Sequence, residues 1–167
     1  MKNSLFLLLI IVSSLNIKAQ ESDVTTYYFI RHAEKVRTDE ANKNPNLTIK
    51  GLERAKNWST VLGSVNFDLI YSTNYNRTVQ TATPTANSKN LEIQFYNPKI
   101  LFSEDFKLKT KGKTVLIVGH SNTTPQFVNK VLGIEKYTDI DDSNNSNLYI
   151  VTISKPLISD ILLKIEY

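Results

Sequence analysis

Tyr27-Tyr28-Phe29-Ile30, followed at once by Arg31-His32-Ala33-Glu34, is the stretch that decides how the rest of the chain is read. Four bulky aromatic or branched residues in succession suit a buried strand. Charge begins abruptly at Arg31, so the strand ends there, at the rim of a sheet. An arginine and a histidine are thus fixed side by side where a core meets solvent. The chain has 2 histidines, and the other, His120, closes a similar apolar run, Val115-Leu116-Ile117-Val118-Gly119.

Outward from these two runs, strands and helices alternate. Residues 36–46 are polar and include Pro45, which marks a loop. Leu47 to Gly51 leads into a helix in which Leu52, Ala55, Trp58 and Leu62 recur at helical spacing, with Gly63 as the stop. Phe67 to Tyr71 is a second strand. It runs into the loop Ser72-Thr73-Asn74-Tyr75-Asn76-Arg77 and a helix from Arg77 to about Asn87, where Pro84 predicts a kink or a restart. Leu91 to Tyr96 is a third strand, and a short helix ending at Gly112 is expected after Pro98. Thr114 to Val118 is the most apolar strand and the expected centre of the sheet. The following helix has Thr123 or Thr124 as its cap, Pro125 in its first turn and Gly133 as its stop. Leu148 to Ile153 and Ile158 to Ile165 are two closing strands around Ser154-Lys155-Pro156. This order predicts an α/β fold of three layers, with a mostly parallel central sheet flanked by helices. Ligands in such sheets sit beyond the carboxyl ends of the strands. Arg31-His32, the 72–77 loop and Gly119-His120 all fall at those ends, so three distant segments are expected to meet at one pocket.

The chain's 167 residues make one domain's worth, after an amino-terminal segment that reads differently. Met1-Lys2-Asn3 is a basic start, Leu5 to Val12 an unbroken apolar run, and Ser13 to Ala19 a more polar tail ending in a small residue. That is the layout of a secretory signal peptide over residues 1–19, with export to the periplasm or the extracellular space. The apolar run falls short of the roughly 20 residues a membrane-spanning helix needs. Residues 20–167 then form a single domain with no membrane partner. Cysteine is absent, which excludes disulfides, a thiol nucleophile and a thiolate metal site. Cleavage removes Lys2 and Lys18 from 20 basic residues set against 16 acidic ones. The remaining excess is too mild, and too dispersed, to point to nucleic acid.

Two arginines and two histidines at one rim suit a phosphoryl group. Guanidinium forks pair with phosphate oxygens and keep their charge at any working pH. A neutral imidazole can attack phosphorus and form a covalent phosphohistidine, dividing the transfer into two steps. A cation beside His32 disfavours its protonated form, and the amino terminus of the helix after His120 adds a favourable dipole. Gly119 leaves room where a substrate must come close. Zinc, the rival for paired histidines, takes three or four protein ligands without competing cations. Arg31 beside His32 argues against it, and neither metal nor cofactor is expected.

These motifs resemble the histidine phosphatase superfamily, also called phosphoglycerate mutase-like, in its small branch 1 type. The family's Arg-His-Gly appears here as Arg31-His32-Ala33, with alanine in place of glycine. Its second element matches Thr73 and then Arg77-Thr78-Val79-Gln80-Thr81-Ala82, and its third matches Gly119-His120-Ser121-Asn122. Leu47-Thr48-x-x-Gly51-x-x-Arg54-Ala55 looks like the family's first helix. The resemblance implies a hydrolase that acts on a small phosphorylated molecule, with His32 as the phosphate-accepting nucleophile. Arg31, Arg77 and His120 would hold the phosphoryl group, and Asn122 would add a contact. The glutamate that many members carry after the third strand as general acid has no patterned counterpart. Glu34 is therefore the candidate proton donor, with Glu104, Asp105 and the Asp139/Asp141/Asp142 cluster as further candidates. A non-catalytic phosphate-ligand-binding domain of the same fold is the alternative reading.

Overall fold

The computed structural model describes residues 24–166, so the expected signal segment 1–19 lies outside the described residues. The strands are β1 Thr25–Arg31, β2 Leu69–Ser72, β3 Ile93–Phe95, β4 Thr114–Gly119, β5 Asn147–Ser154 and β6 Leu157–Lys164. They form one sheet in the order β3-β2-β4-β1-β5-β6. The first four in that order run parallel; β5 joins β1 antiparallel, and β6 joins β5 antiparallel. Four helices fill the connections: α1 Ile49–Val61, α2 Asn76–Lys89, α3 Glu104–Thr110 and α4 Thr123–Leu132.

Tyr27, Phe29 and Ile30 are buried because β1 is one of the two central strands of the sheet, with helices on both faces. Its side chains alternate as a strand requires. Tyr27 and Phe29 join Val115 and Ile117 on one face, against Phe106 of α3 and Phe127, Val128 and Val131 of α4. Ile30 joins Leu116 and Val118 on the other, against Trp58 and Leu62 of α1 and its cap and Ala82 and Ala86 of α2. Two apolar layers therefore clamp the parallel strands, and the expected three-layer α/β architecture is the one observed.

Local details depart from the expected pattern in instructive ways. Leu52 points outward, and the buried face of α1 is Gly51, Arg54, Ala55 and Trp58. Position 51 must be glycine-sized for a packing reason. A Cβ there would lie 2.2 Å from the backbone carbonyl oxygen of Glu34, so α1 rides directly on the segment that follows His32. Helix α2 runs unbroken from Asn76 to Lys89 through Pro84, rather than restarting there. The third strand is only three residues long, since β3 is an edge strand and Phe95 is exposed. Asn122, not Thr123 or Thr124, occupies the cap position of α4, and it makes no side-chain capping bond. Gly133 ends α4 in the left-handed region at φ 73°, which a glycine adopts at little cost.

Candidate active site

Strand register brings the site together. Arg31 pairs with Gly119 across β1 and β4, and Ser72 pairs with Val118 across β2 and β4. The next residues along, His32, Thr73 and His120, therefore leave the sheet as immediate neighbours. The two imidazole rings lie 5.6 Å apart, centroid to centroid, at 67°. Arg31, His32, Arg77, His120 and Asn122 all line one open pocket of about 310 Å³. A larger groove of about 580 Å³ adjoins it at Pro98, but Lys99, Ile100, Leu101, Gln126, Lys130 and Glu135 give that groove no nucleophile.

His32 is buried, and its ring is held in one tautomer. Nδ1 lies 2.7 Å from the carbonyl oxygen of Ala33. A carbonyl can only accept, so Nδ1 carries the proton and Nε2 keeps its lone pair. The ring is also neutral: its pKa is lowered to about 3. Burial is the main cause, the bond to Ala33 opposes it, and the charges of Arg31, His120 and Arg77 add to it. Alanine in place of glycine at position 33 is accommodated because its methyl packs with Leu47 and Ala55.

His120 is oriented by the opposite pair of contacts. Arg77 Nη2 donates toward its Nδ1 at 3.4 Å, and its Nε2 lies 2.9 Å from Thr73 Oγ1. With Nδ1 accepting, the proton sits on Nε2 and is donated to Thr73. Burial first, and then Arg77, Lys35 and Arg31, lower its pKa to about 4. Tyr75 closes the side of this group. Its ring meets His120 edge-on at 5.2 Å, and the Arg77 guanidinium stacks over it at 4.6 Å.

The arginines are positioned by their own bonds and left with donors to spare. Arg31 Nη1 donates to the carbonyls of Asp141, Asp142 and Asn144, and Nη2 donates to Asp142 Oδ1 at 2.6 Å. That loop anchors the guanidinium from behind. Arg31 Nε and Arg77 Nε and Nη1 are buried without a partner among the described residues. Buried N–H groups of a permanent cation rarely stay unmatched, and both arginines line the pocket. Lys35 lines the same pocket. The donor set fits a phosphoryl group.

The candidate proton donors are placed differently. Glu34 does not line the pocket. Its carboxylate is clamped by Arg54, whose Nε donates to Oε1 and Oε2 at 2.9 and 3.0 Å and whose Nη2 donates to Oε1 at 2.9 Å. Burial acts to raise the Glu34 pKa, but the bonds and charge of Arg54 outweigh it and the net shift is downward. This corrects the expectation for Glu34: an ionised carboxylate locked to a guanidinium outside the pocket has no proton to deliver. Glu104 and Asp105 sit on α3, exposed and paired with Lys107 and Lys109. Asp142 does reach the pocket, but it bridges Arg31 and Arg37, and its bond to Arg37 foremost holds its pKa near 2. Gly119 also has a different role from the one expected. A Cβ there would meet Thr124 Oγ1 at 2.7 Å and the Tyr96 hydroxyl at 2.8 Å, so protein rather than substrate fills the space.

Lys35 lines the pocket without any signal in the sequence pattern, Tyr75 enters it only as part of the 72–77 loop, and Asp142, expected as a possible proton donor, serves instead to hold Arg31. A lone lysine or tyrosine in a loop carries no spacing signal, and Asp142 is far in sequence from everything it touches.

Residues 27–97 match the family model of the histidine phosphatase superfamily (branch 1). No curated protein matches the chain in sequence. Among solved structures, the chain is similar to a protein assigned as the phosphohistidine phosphatase SixA from Agrobacterium tumefaciens, at 19% identity over 83% of this chain and 97% of that one, with a TM-score of 0.62. It is also similar to the alpha-ribazole phosphatase from Shigella flexneri, at 16% identity over 83% and 96% of the two chains and a TM-score of 0.62. A phosphoglycerate mutase from Bacillus anthracis str. Sterne matches at 15% identity over 86% and 94%, with a TM-score of 0.60. The branch 1 model of the histidine phosphatase superfamily thus accounts for residues 27–97, and the phosphoglycerate mutase-like fold carries the likeness through most of the chain.

Proposed function

We propose that the protein is an exported phosphatase that transfers a phosphoryl group from a small phosphorylated molecule to His32 and then to water. The observation that carries this reading is the state of His32. Its Nδ1 proton is committed to Ala33, its Nε2 lone pair is available, and its ring is neutral beside unmatched arginine donors. In the first step Nε2 forms a bond to phosphorus as the bond to the leaving group breaks. Arg31 and Arg77 hold the non-bridging oxygens, where charge accumulates. In the second step water attacks the phosphohistidine, inorganic phosphate departs, one proton goes to solvent, and His32 regains its lone pair.

Both carboxylates near the site are tied to arginines, so little help is at hand for protonating a poor leaving group. Substrates whose leaving group departs readily are therefore favoured: aryl phosphates, and phosphoramidates whose nitrogen takes its proton from solvent. Phosphohistidine belongs to the second class, and one structure of the same fold is assigned as a phosphohistidine phosphatase. The alternative, a domain that binds phosphate without turning it over, draws its support from the same shortage of a proton donor.

Rapid mixing with an activated aryl phosphate separates the two. A burst of phenol and an acid-labile phosphoenzyme, both absent from His32→Ala, are expected. Equal, slow release by wild-type and His32→Ala proteins would leave only the binding reading. Export rests on residues 1–19 and predicts a mature chain that begins at Gln20. Amino-terminal sequencing of protein recovered from outside the cytoplasm tests it, and recovery of an uncleaved cytoplasmic chain refutes it.

A further inference from the structure

The backbone around His32 and Ala33 is held at every polar group, and two of the holders are buried side chains from distant elements. The His32 N–H donates to the Gly119 carbonyl at 2.9 Å. The His32 carbonyl accepts from Asn145 Nδ2 at 2.8 Å, and the Ala33 N–H donates to Thr81 Oγ1 at 2.9 Å. The Ala33 carbonyl takes the His32 Nδ1 proton. Thr81 is 0% exposed and Asn145 7%. The Thr81 hydroxyl proton goes to the Arg77 carbonyl at 2.7 Å, so a single oxygen ties the turn that carries Arg77 to the backbone that carries His32.

Satisfied backbone groups are ordinary in a core, but this peptide has a particular place. The Nδ1 bond closes a ring of atoms running from the imidazole through the main chain to the Ala33 carbonyl. The His32–Ala33 peptide is the rigid plane inside that ring. Asn145 grips its oxygen and Thr81 its N–H, so the plane cannot rotate without breaking one of the two bonds. If it rotated, the Ala33 carbonyl would swing away from Nδ1, and the proton could move to Nε2, the atom that must stay bare.

We propose that Thr81 and Asn145 are positioning residues for His32: they lock the His32–Ala33 peptide so that the Ala33 carbonyl keeps the imidazole proton on Nδ1. The inference rests on the reading of His32 as nucleophile. It assigns neither residue a contact with substrate. Their loss should lower the rate of phosphoryl transfer while leaving ground-state anion binding, which depends on the arginines, nearly intact.

The test uses Thr81→Val, Thr81→Ser, Asn145→Ala and Asn145→Asp in the full domain, with folding checked by circular dichroism and Trp58 fluorescence. In Thr81→Val and Asn145→Ala the rate of His32 phosphorylation by an aryl phosphate should fall about 10- to 100-fold, the range for a displaced catalytic group. The Kd for inorganic phosphate should change less than about threefold, a factor too small for the loss of one charge-assisted hydrogen bond. Nitrogen NMR of the His32 ring should change from one Nδ1–H tautomer to a mixture. Thr81→Ser, which keeps the hydroxyl, should behave as wild type. Asn145→Asp, which keeps the shape but opposes the His32 carbonyl with an acceptor, should be the slowest, and it carries the test if Thr81→Val does not fold. Folded Thr81→Val and Asn145→Ala proteins with wild-type phosphorylation rates and a single tautomer would overturn the proposal. If wild-type protein forms no phosphoenzyme at all, the nucleophile reading fails instead, and the ring tautomer still decides whether these two side chains orient His32.

Discussion

Acid should destabilise this protein before its carboxylates titrate, because of where its histidines lie. His32 and His120 are the chain's 2 histidines, and folding holds their pKa values near 3 and near 4 against an unfolded value of 6.5. Both are depressed, so the unfolded chain binds protons that the folded one refuses, and stability falls as pH drops through 6.5. The loss grows until the folded values are reached. At pH 5 the unfolded side chains are about 1.5 units past their midpoint, and at 1.36 kcal/mol per unit each site costs ~2 kcal/mol. Together they remove ~4 kcal/mol from a domain whose total stability is expected to be about 5–15 kcal/mol. The size of the loss at pH 5 is governed by the unfolded pKa, since both folded values lie a unit or more lower. Asp142, held near 2, contributes only below its unfolded value of 3.8, outside the window.

Urea unfolding followed by the buried Trp58, at intervals from pH 7.5 to pH 5 in phosphate-free buffer, measures the effect. The phosphate is left out because a bound anion would favour the charged imidazoles and mask the loss. Wild-type stability should fall by ~4 kcal/mol over that range, and by about half as much in either single His→Asn variant. The double variant should be nearly flat. A wild-type profile that is flat to within about 0.5 kcal/mol, the scatter typical of surface effects, would refute the picture of two neutral histidines sealed at the strand ends.

Three other perturbations probe the surroundings. Arg77→Lys keeps the charge but loses the fork whose Nε and Nη1 lack partners; at about 1.5–3 kcal/mol per charged hydrogen bond, vanadate affinity should drop at least tenfold, and equal titration curves would show that the fork is not used. Glu34→Gln removes the charge that Arg54 clamps and should destabilise the fold by about 1–3 kcal/mol with turnover per folded molecule kept; lost turnover at unchanged stability would return Glu34 to the role of acid. Gly51→Ala forces a methyl to within 2.2 Å of the Glu34 carbonyl oxygen. It should cost about 1–3 kcal/mol by denaturant unfolding, and an unchanged midpoint would mean that α1 shifts freely on the segment below it.

The parts of the site that were legible in the sequence are those that follow from strand ends. Tyr27–Ile30 and Val115–Val118 are apolar without interruption because both faces of a parallel strand are covered, and that pattern needs no knowledge of the partner. Arg31, His32 and His120 come with them, as the first polar residues past the core. Arg77 was reachable because the Thr73–Ala82 stretch is continuous in sequence. What stayed hidden depends on contacts between segments. Glu34 looked like an acid beside the nucleophile because nothing local shows that Arg54, a turn into α1, reaches back to clamp it. Leu52 fits the helical period as well as Gly51 or Arg54 does, and only the close approach of α1 to Glu34 turns it outward.

The sequence by itself determined the alternation of strands and helices, the three places where polar groups leave the core, and the phosphate-suited chemistry of the groups found there. Each of these follows from local periodicity and side-chain type. Only the tertiary structure decided which proton each histidine carries, which donors of Arg31 and Arg77 remain unmatched, and that Thr81 and Asn145 brace the His32–Ala33 peptide. The reason is physical. A tautomer, a pKa or a spare hydrogen bond is set by the nearest few atoms, and here the groups that brace them come from α2 and from the loop before β5, some 50 and 110 residues along the chain from His32.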